Sequence, residues 1–287
     1  MKLAALSLTL VATALVAPTL SAQGEVGTVL PRAGMVITSS VRIRPGIYRL
    51  SVRDGRAVIT VRGSNVSIDL RGVTFEGSPA GSDPDLASGV ALRIEGGADV
   101  RVTGLRARGY RTGIHARQTR GLTLVGNDLS HGWKPRLFSV VEHESLNDWL
   151  SYHKNHDNEW ERFGTGIYLD RVVGGTLRAN VVEQGMNGLL MTRTDSLDIR
   201  GNDLSFNSGL GIGMYRSSGN RIVGNRIDYN VRGYSHGFFR RGQDSAGILM
   251  FDGCNNNVVA YNSVTHGGDG LFLWAGQRTM DTGTGGA

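Results

Sequence analysis

The sequence predicts an all-β fold, a right-handed parallel β-helix solenoid of about nine coils with the last coil incomplete, and three observations carry the prediction. First, a glycine followed by an aliphatic residue recurs at Gly89-Val90, Gly113-Ile114, Gly166-Ile167, Gly188-Leu189, Gly211-Ile212, Gly247-Ile248 and Gly270-Leu271, 22 to 24 residues apart once two insertions are set aside. Repeats of this length mark solenoids, whose units bury their apolar faces only by stacking. Second, aliphatic side chains fall at the first and third positions after the glycine, as in Ile167 and Leu169 or Ile212 and Met214, which is the period of two of a strand. Third, an asparagine column, Asn127, Asn180, Asn202 and Asn225, stands 14 residues after the glycine, with Asn262 one residue late.

The elements follow in chain order. Met1 to Ala22 carries one lysine, an apolar run from Leu3 to Ala17, and Leu20-Ser21-Ala22, the layout of a cleaved secretory signal, so export to the periplasm or the extracellular space is expected. Residues 23–287 read as a single β-helix domain with insertions at 132–163 and 231–244. Each coil opens with the strand after its glycine. A second strand centres 11 residues on, at Leu124, Leu177, Ile199 and Ile222. The asparagine then turns a corner, where stacked amides can hydrogen-bond along a ladder and where left-handed backbone is tolerated. Two residues later an aliphatic side chain points back inside, at Leu129, Val182, Leu204, Ile227 and Val264, so three short strands per coil are expected. Most of the 42 glycines read as corner residues. The coil that starts at Gly270 lacks its asparagine corner, and an open coil end exposes unpaired edges, so the chain is expected to be a piece of a longer one.

The spacing and the recurring Gly-[Ile/Leu]-x-[Leu/Met] and Gly-Asn-x-[Leu/Ile] phrases resemble the right-handed parallel β-helix repeat family of the pectin-lyase-like superfamily, over nearly all of the mature chain. The phrase Val41 to Tyr48 resembles the strand with which such helices begin. The resemblance implies carbohydrate as the leading ligand class, with lyases, glycoside hydrolases, uronate epimerases and non-catalytic periplasmic accessory proteins all among the members. The motif sets of polygalacturonases and of mannuronan epimerases are absent, so no catalytic set carries over.

Lys and Arg number 31 against 25 Asp and Glu. A moderate positive surplus in an exported protein favours acidic polysaccharide or anionic envelope as partner. Nucleic acid is disfavoured, since there is no lysine-rich tract or groove-reading motif. No stretch after the signal is long and apolar enough to span a membrane. The lone Cys254 cannot form an intramolecular disulfide and reads as a small corner residue.

The two insertions point to function. Both leave from one corner, just after His131 and just after Tyr229, about 14 Å apart at the usual strand separation, and long loops on a regular scaffold are commonly functional. Between them a trough is expected, lined by the outward residues Tyr168, Asp170, Leu190, Thr192, Tyr215, Leu249 and Phe251. The next position reads Arg171, Arg193 and Arg216, which either share the carboxylates of a uronate chain or pair with Asp170, Asp195 and Asp198. In the first loop, Ser145 and Asp148 resemble a capping box ahead of a short amphipathic helix anchored by Trp149.

Eliminative or epimerising chemistry on a uronic acid needs the carboxylate neutralised, a base for the adjacent proton, and an acid for the departing oxygen. Arg193 and Arg216 suit the first role, His236 or His156 the second and Tyr215 the third. Tyr168, Asp170, Arg171, Arg240, Trp160 and Trp274 complete the expected substrate contacts. Glycoside hydrolysis is the alternative, with Asp170 paired to Asp157, Glu159 or Asp244 at the separation two carboxyl groups require. A solenoid that only grips carbohydrate, or assists in the envelope, is the other. No cofactor is required. His153, His156 and Asp157 are ligand types without a metal motif, and calcium would want more carboxylates than this loop offers.

Overall fold

The computed structural model of the chain describes residues 27–140, 142–143, 145–148, 150, 155–231 and 245–283. The expected signal at 1–22, Trp149, His153, and the second loop from Arg232 to Asp244, with His236 and Arg240, lie outside them.

The coils stack as a right-handed parallel β-helix of about nine rungs, with two long parallel sheets. The nine-stranded sheet runs from Met35–Ile37 and Ala57–Val61 through Val90–Glu95, Thr112–Arg117, Thr165–Asp170, Leu189–Thr192, Leu210–Tyr215 and Ala246–Phe251 to Asp269–Trp274. Its register is regular: Ile114, Ile167, Leu189, Ile212, Ile248 and Leu271 stand in one column. The ten-stranded sheet holds the second strands, including Arg120–Val125, Val173–Arg178, Asp195–Arg200 and Arg221–Val223.

The third strand of each coil is shorter than expected. It survives as single bridges joining Arg106, Asp128, Val181, Asp203, Arg226 and Ser263 in sequence. The reason is local: three residues separate each ladder asparagine from the next left-handed residue, as from Asn127 to His131 (φ 57°), Asn202 to Phe206 (φ 58°) and Asn225 to Tyr229 (φ 57°).

The asparagine column forms the expected ladder. Nδ2 of Asn127 donates to Oδ1 of Asn180 at 2.8 Å, Asn180 to Asn202 and Asn202 to Asn225 at 2.9 Å, and Asn225 to Asn262 at 3.0 Å. Each Oδ1 also accepts the backbone N–H of the preceding asparagine, so buried amides at a tight corner are satisfied.

Positive φ at 22 of the described glycines fits the expected corner role, but the repeating glycines from Gly113 onwards are not among these corners. Gly113, Gly166, Gly188, Gly211 and Gly247 do not adopt positive φ. They sit where the coil is pinched. A Cβ on Gly166 would lie 2.2 Å from Val182, on Gly211 2.1 Å from Ile227, and on Gly247 2.1 Å from Val264, each the inward residue that follows the ladder asparagine. Gly89 is out of this register, because Val90 pairs with Thr112 and Leu92 with Ile114, which leaves Ala91 opposite Gly113.

Two apolar cores result. One fills the solenoid, with Ile114, Leu124, Leu129, Ile167, Leu177, Ile199 and Ile212 all nearly inaccessible. Cys254 belongs to it, and burial pushes its thiol pKa up. The other lies outside the nine-stranded sheet, where Trp160, Phe163 and Leu150 of the first loop cover Tyr168, Leu190, Tyr215 and Phe251. Of the expected amphipathic helix in this loop, Leu146–Asp148 form a 3-10 turn, and Trp149 and His153 lie outside the described residues. Asp148 is buried and its carboxylate accepts from the backbone of Phe138 and Ser139 and from the Ser139 hydroxyl, so it closes the loop on itself rather than capping a helix.

Candidate functional site

The parallel register sets two outward columns on the nine-stranded sheet. One runs Arg93, His115, Tyr168, Leu190, Gly213, Leu249 and Phe272; the other runs Glu95, Arg117, Asp170, Thr192, Tyr215, Phe251 and Trp274. They change from charged to aromatic along the solenoid. Beside the second column stand Arg171, Arg193, Arg216 and Asp252, all left-handed at φ 49–53°.

The expected open trough is filled. Tyr168 and Asp170 are 1% exposed, Thr192 0%, Tyr215 1% and Trp160 0%. Trp160 therefore plugs the face rather than offering a sugar platform, and Tyr168 lies beneath the loop that carries it. Burial of the loop's own apolar side chains against the sheet drives this docking, at roughly 1.5–3 kcal/mol for each large side chain. Polar contacts fix it. Asn155, fully buried, donates to the Thr192 hydroxyl at 2.8 Å and accepts the N–H of Trp160 at 3.1 Å.

Arg193 is the main tether. Its guanidinium donates to the carbonyls of Asn155 (3.0 Å) and His156 (2.6 Å) and to Oδ1 of Asn158 (3.1 Å). Arg171 donates to Asp170 at 2.9 Å and Arg216 to Asp252 at 2.8 Å. The arginine column is thus largely satisfied within the protein. Its partners differ from the expected Asp195 and Asp198, which instead take Ser218 N–H and Arg200.

Five of the expected residues do meet, Tyr215, Arg193, Arg216, His156 and Trp160. The Tyr215 ring has the guanidinium carbons of Arg216 and Arg193 at 5.0 and 5.7 Å from its centroid, and the exposed imidazole of His156 at 6.2 Å. Trp160 and Phe251 enclose it at 5.7 and 5.8 Å. Burial is the main force that pushes the Tyr215 hydroxyl up to about 12, aided by Asp252 and opposed by Arg216 and Arg193. Trp274 is separate from this group and packs edge-on against Phe251 at 4.7 Å. Of the carboxylate pairs, Asp170 is enclosed by Arg117, Arg171 and Arg193 at 3.7, 2.9 and 3.9 Å, while Glu159 accepts the N–H of the exposed Asp157.

Extending the outward alternation one coil towards the N-terminus would have found His115, which is 2% exposed. Its Nδ1 lies 3.4 Å from Glu161, and burial first, then Arg93 and Arg117, hold its pKa down to about 3. A neutral imidazole beside the Glu161 carboxylate fits both facts better than an ion pair. Asn155 and Asp252 gave no periodic signal, because one lies in an insertion and the other in a corner position that reads arginine in the three preceding coils.

Residues 64–263 match the family model described as periplasmic copper-binding protein (NosD). Solved structures with a similar chain path include the surface protein and adhesin PfbA of Streptococcus pneumoniae, at 9% identity over 83% of this chain and 87% of that one, TM-score 0.41. Others are the periplasmic alginate epimerase AlgG, at 11% identity over 83% and 77%, TM-score 0.30, and a mannuronan C-5 epimerase A-module of Azotobacter vinelandii, at 12% over 82% and 87%, TM-score 0.28. Likeness at this level says nothing about chemistry. No curated protein sequence matches the chain. Among the described residues, no three His, Cys, Asp or Glu side chains group to hold a metal ion, and no helix is long and apolar enough to cross a membrane. The raised thiol of Cys254 is a poor soft ligand, so the described residues do not fit the copper of the family's description.

Proposed function

The chain belongs to the NosD family of β-helix proteins, and from that premise we propose that it is a periplasmic accessory solenoid which binds an acidic glycan without breaking it. The observation that carries this reading is the plug. Trp160 and its neighbours occupy the face on which a polymer would have to lie to be cut beside Tyr215, and the hydroxyl best placed to act as an acid, that of Tyr215, is buried with its proton held tightly. General acid catalysis near neutral pH favours a group whose pKa is close to the operating pH. The positive surplus of the chain supports an acidic ligand, since opposite charge raises local concentration and speeds capture.

The test is to incubate the purified protein with a panel of acidic polysaccharides and follow the ultraviolet absorbance of unsaturated uronate, the product sizes and co-sedimentation. Binding to at least one polymer, with flat absorbance and unchanged chain length, is expected. A rise in absorbance that Tyr215→Phe abolishes would replace this reading with eliminative cleavage. That second reading draws on one specific observation, the convergence of Tyr215, His156, Arg193 and Arg216, and it requires Trp160 to leave the Tyr215 ring while His156 of the same loop keeps its place.

A further inference from the structure

The arginines beside Tyr215 find partners inside the protein, whereas most of those on the other long sheet do not. The outer face of the ten-stranded sheet carries an arginine in each of five successive rungs, Arg101, Arg120, Arg178, Arg200 and Arg221. At the usual strand separation the run is about 19 Å long. All five are exposed. Arg200 reaches Asp198 at 3.0 Å, while the guanidinium groups of the other four meet no acceptor among the described residues.

The register sharpens the contrast. Arg178 and Arg200 are direct neighbours in one column, and like charges side by side in a sheet are destabilising unless they splay into water or share an anion. Among the described residues, three carboxylates share these rungs, and two of them are engaged. Asp198 holds Arg200, and Asp195 accepts the N–H of Ser218 at 2.7 Å; the third is the exposed Asp99.

The neighbouring surface gives the basic stripe a border. Past the asparagine corner the row of third strands is acidic, with Asp128, Glu183, Asp203 and Asp228 against Arg226. A linear polyanion lying along the solenoid axis would meet one guanidinium per rung and stay clear of that row. Guanidinium forks match carboxylate and sulfate oxygens. The other outward side chains of the stripe, Thr103, Thr123, Val125, Val173, Thr176 and Val223, are short. They include no Trp, Phe or Leu to enter a lipid surface and no ring on which a nucleic-acid base could stack.

We propose that this arginine stripe is the docking surface of the acidic glycan, a linear polymer carrying carboxylate or sulfate groups and laid along the solenoid axis. The proposal rests on the acidic-glycan reading above and adds its location.

The experiment is isothermal titration of the full chain with polygalacturonate, heparin and neutral dextran, beside co-sedimentation with vesicles of phosphatidylglycerol and phosphatidylcholine. It is repeated for Arg178→Gln with Arg221→Gln, and for Arg53→Gln with Arg56→Gln, which removes the same charge from the turn ahead of Ala57–Val61. These four side chains are exposed and unpartnered among the described residues, so thermal midpoints should match the wild type. Expected is binding of an acidic polymer but not of dextran, weakened about tenfold in the stripe variant and less than about twofold in the turn variant. Equal losses in the two variants, or none in either, would overturn the stripe and leave the accessory reading standing. No binding of either acidic polymer would overturn both. Vesicle binding without polymer binding, lost in the stripe variant, would assign the face to anionic lipid instead.

Discussion

The inside of the solenoid and the outer face of its nine-stranded sheet are both dry and apolar, yet they are built by different rules. Inside, every coil contributes the same positions, and a residue touches its equivalents above and below. Outside, the cover comes from one insertion, and Trp160, Phe163 and Leu150 meet side chains from several coils at once. A periodic core is specified by pattern, whereas an aperiodic one depends on where a single loop lands.

The sharpest way to break this comparison is to cut into each core. Ile199→Ala should cost about 2–5 kcal/mol and Trp160→Ala about 3–5 kcal/mol. The first should lower the urea midpoint of the whole solenoid. The second should leave the β signal in far-ultraviolet circular dichroism near the wild type while the loop becomes open to limited proteolysis. If Trp160→Ala melts the coils cooperatively, the two cores are one.

Overpacking the pinch is the next test. Gly211→Ala should destabilise by about 1–3 kcal/mol, since its Cβ would meet Ile227 at 2.1 Å and the Gly247 carbonyl oxygen at 2.7 Å. Gly201→Ala, at a corner with φ 60° and open space around it, should cost only the left-handed backbone, about 1 kcal/mol. Thermal midpoints of the two variants would rank steric pinch against backbone freedom; equal losses would mean that the pinch relaxes.

Removing a ladder rung comes third. Asn202→Ala takes the acceptor from both the N–H and the Nδ2 of Asn180, and a buried donor left alone costs about 1–3 kcal/mol. Urea unfolding should show it as a lower midpoint with unchanged slope; no change would mean that water replaces the amide.

The outer face supplies a test that depends on pH. His115 is held neutral to about pH 3, while an imidazole in the unfolded chain takes its proton near pH 6.5. The unfolded state therefore binds more protons in that window, so the contribution is fully present above pH 6.5 and is lost as pH falls towards 3. His115→Gln should flatten the stability profile between those limits, and an unchanged slope would assign the acid sensitivity elsewhere.

These cases also show what could be read in advance. The glycine anchors, the inward aliphatic columns and the asparagine ladder were legible because each coil restates them, and even Arg171, Arg193 and Arg216 were found as a column. Their partners were not, since Asn155, Asn158 and His156 belong to an insertion with no repeat. Alternation correctly sent Tyr168 and Tyr215 to the outer face, but a period of two separates inside from outside and does not distinguish water from a covering loop. Gly113 and its counterparts were identified as repeating residues, while the reason for them, contact with Leu129, Val182 or Ile227 across the coil, required three dimensions.

The asparagine ladder also gives the solenoid a polarity. Every rung passes its backbone N–H and one Nδ2–H to the amide oxygen of the next coil, while its Nδ2 also donates back to a backbone carbonyl of the preceding coil, as Asn180 does to Leu124 and Asn202 to Leu177; at Asn127 the amide oxygen takes the backbone N–H of Leu105. Coils can therefore be added only head to tail, like arrows in a file.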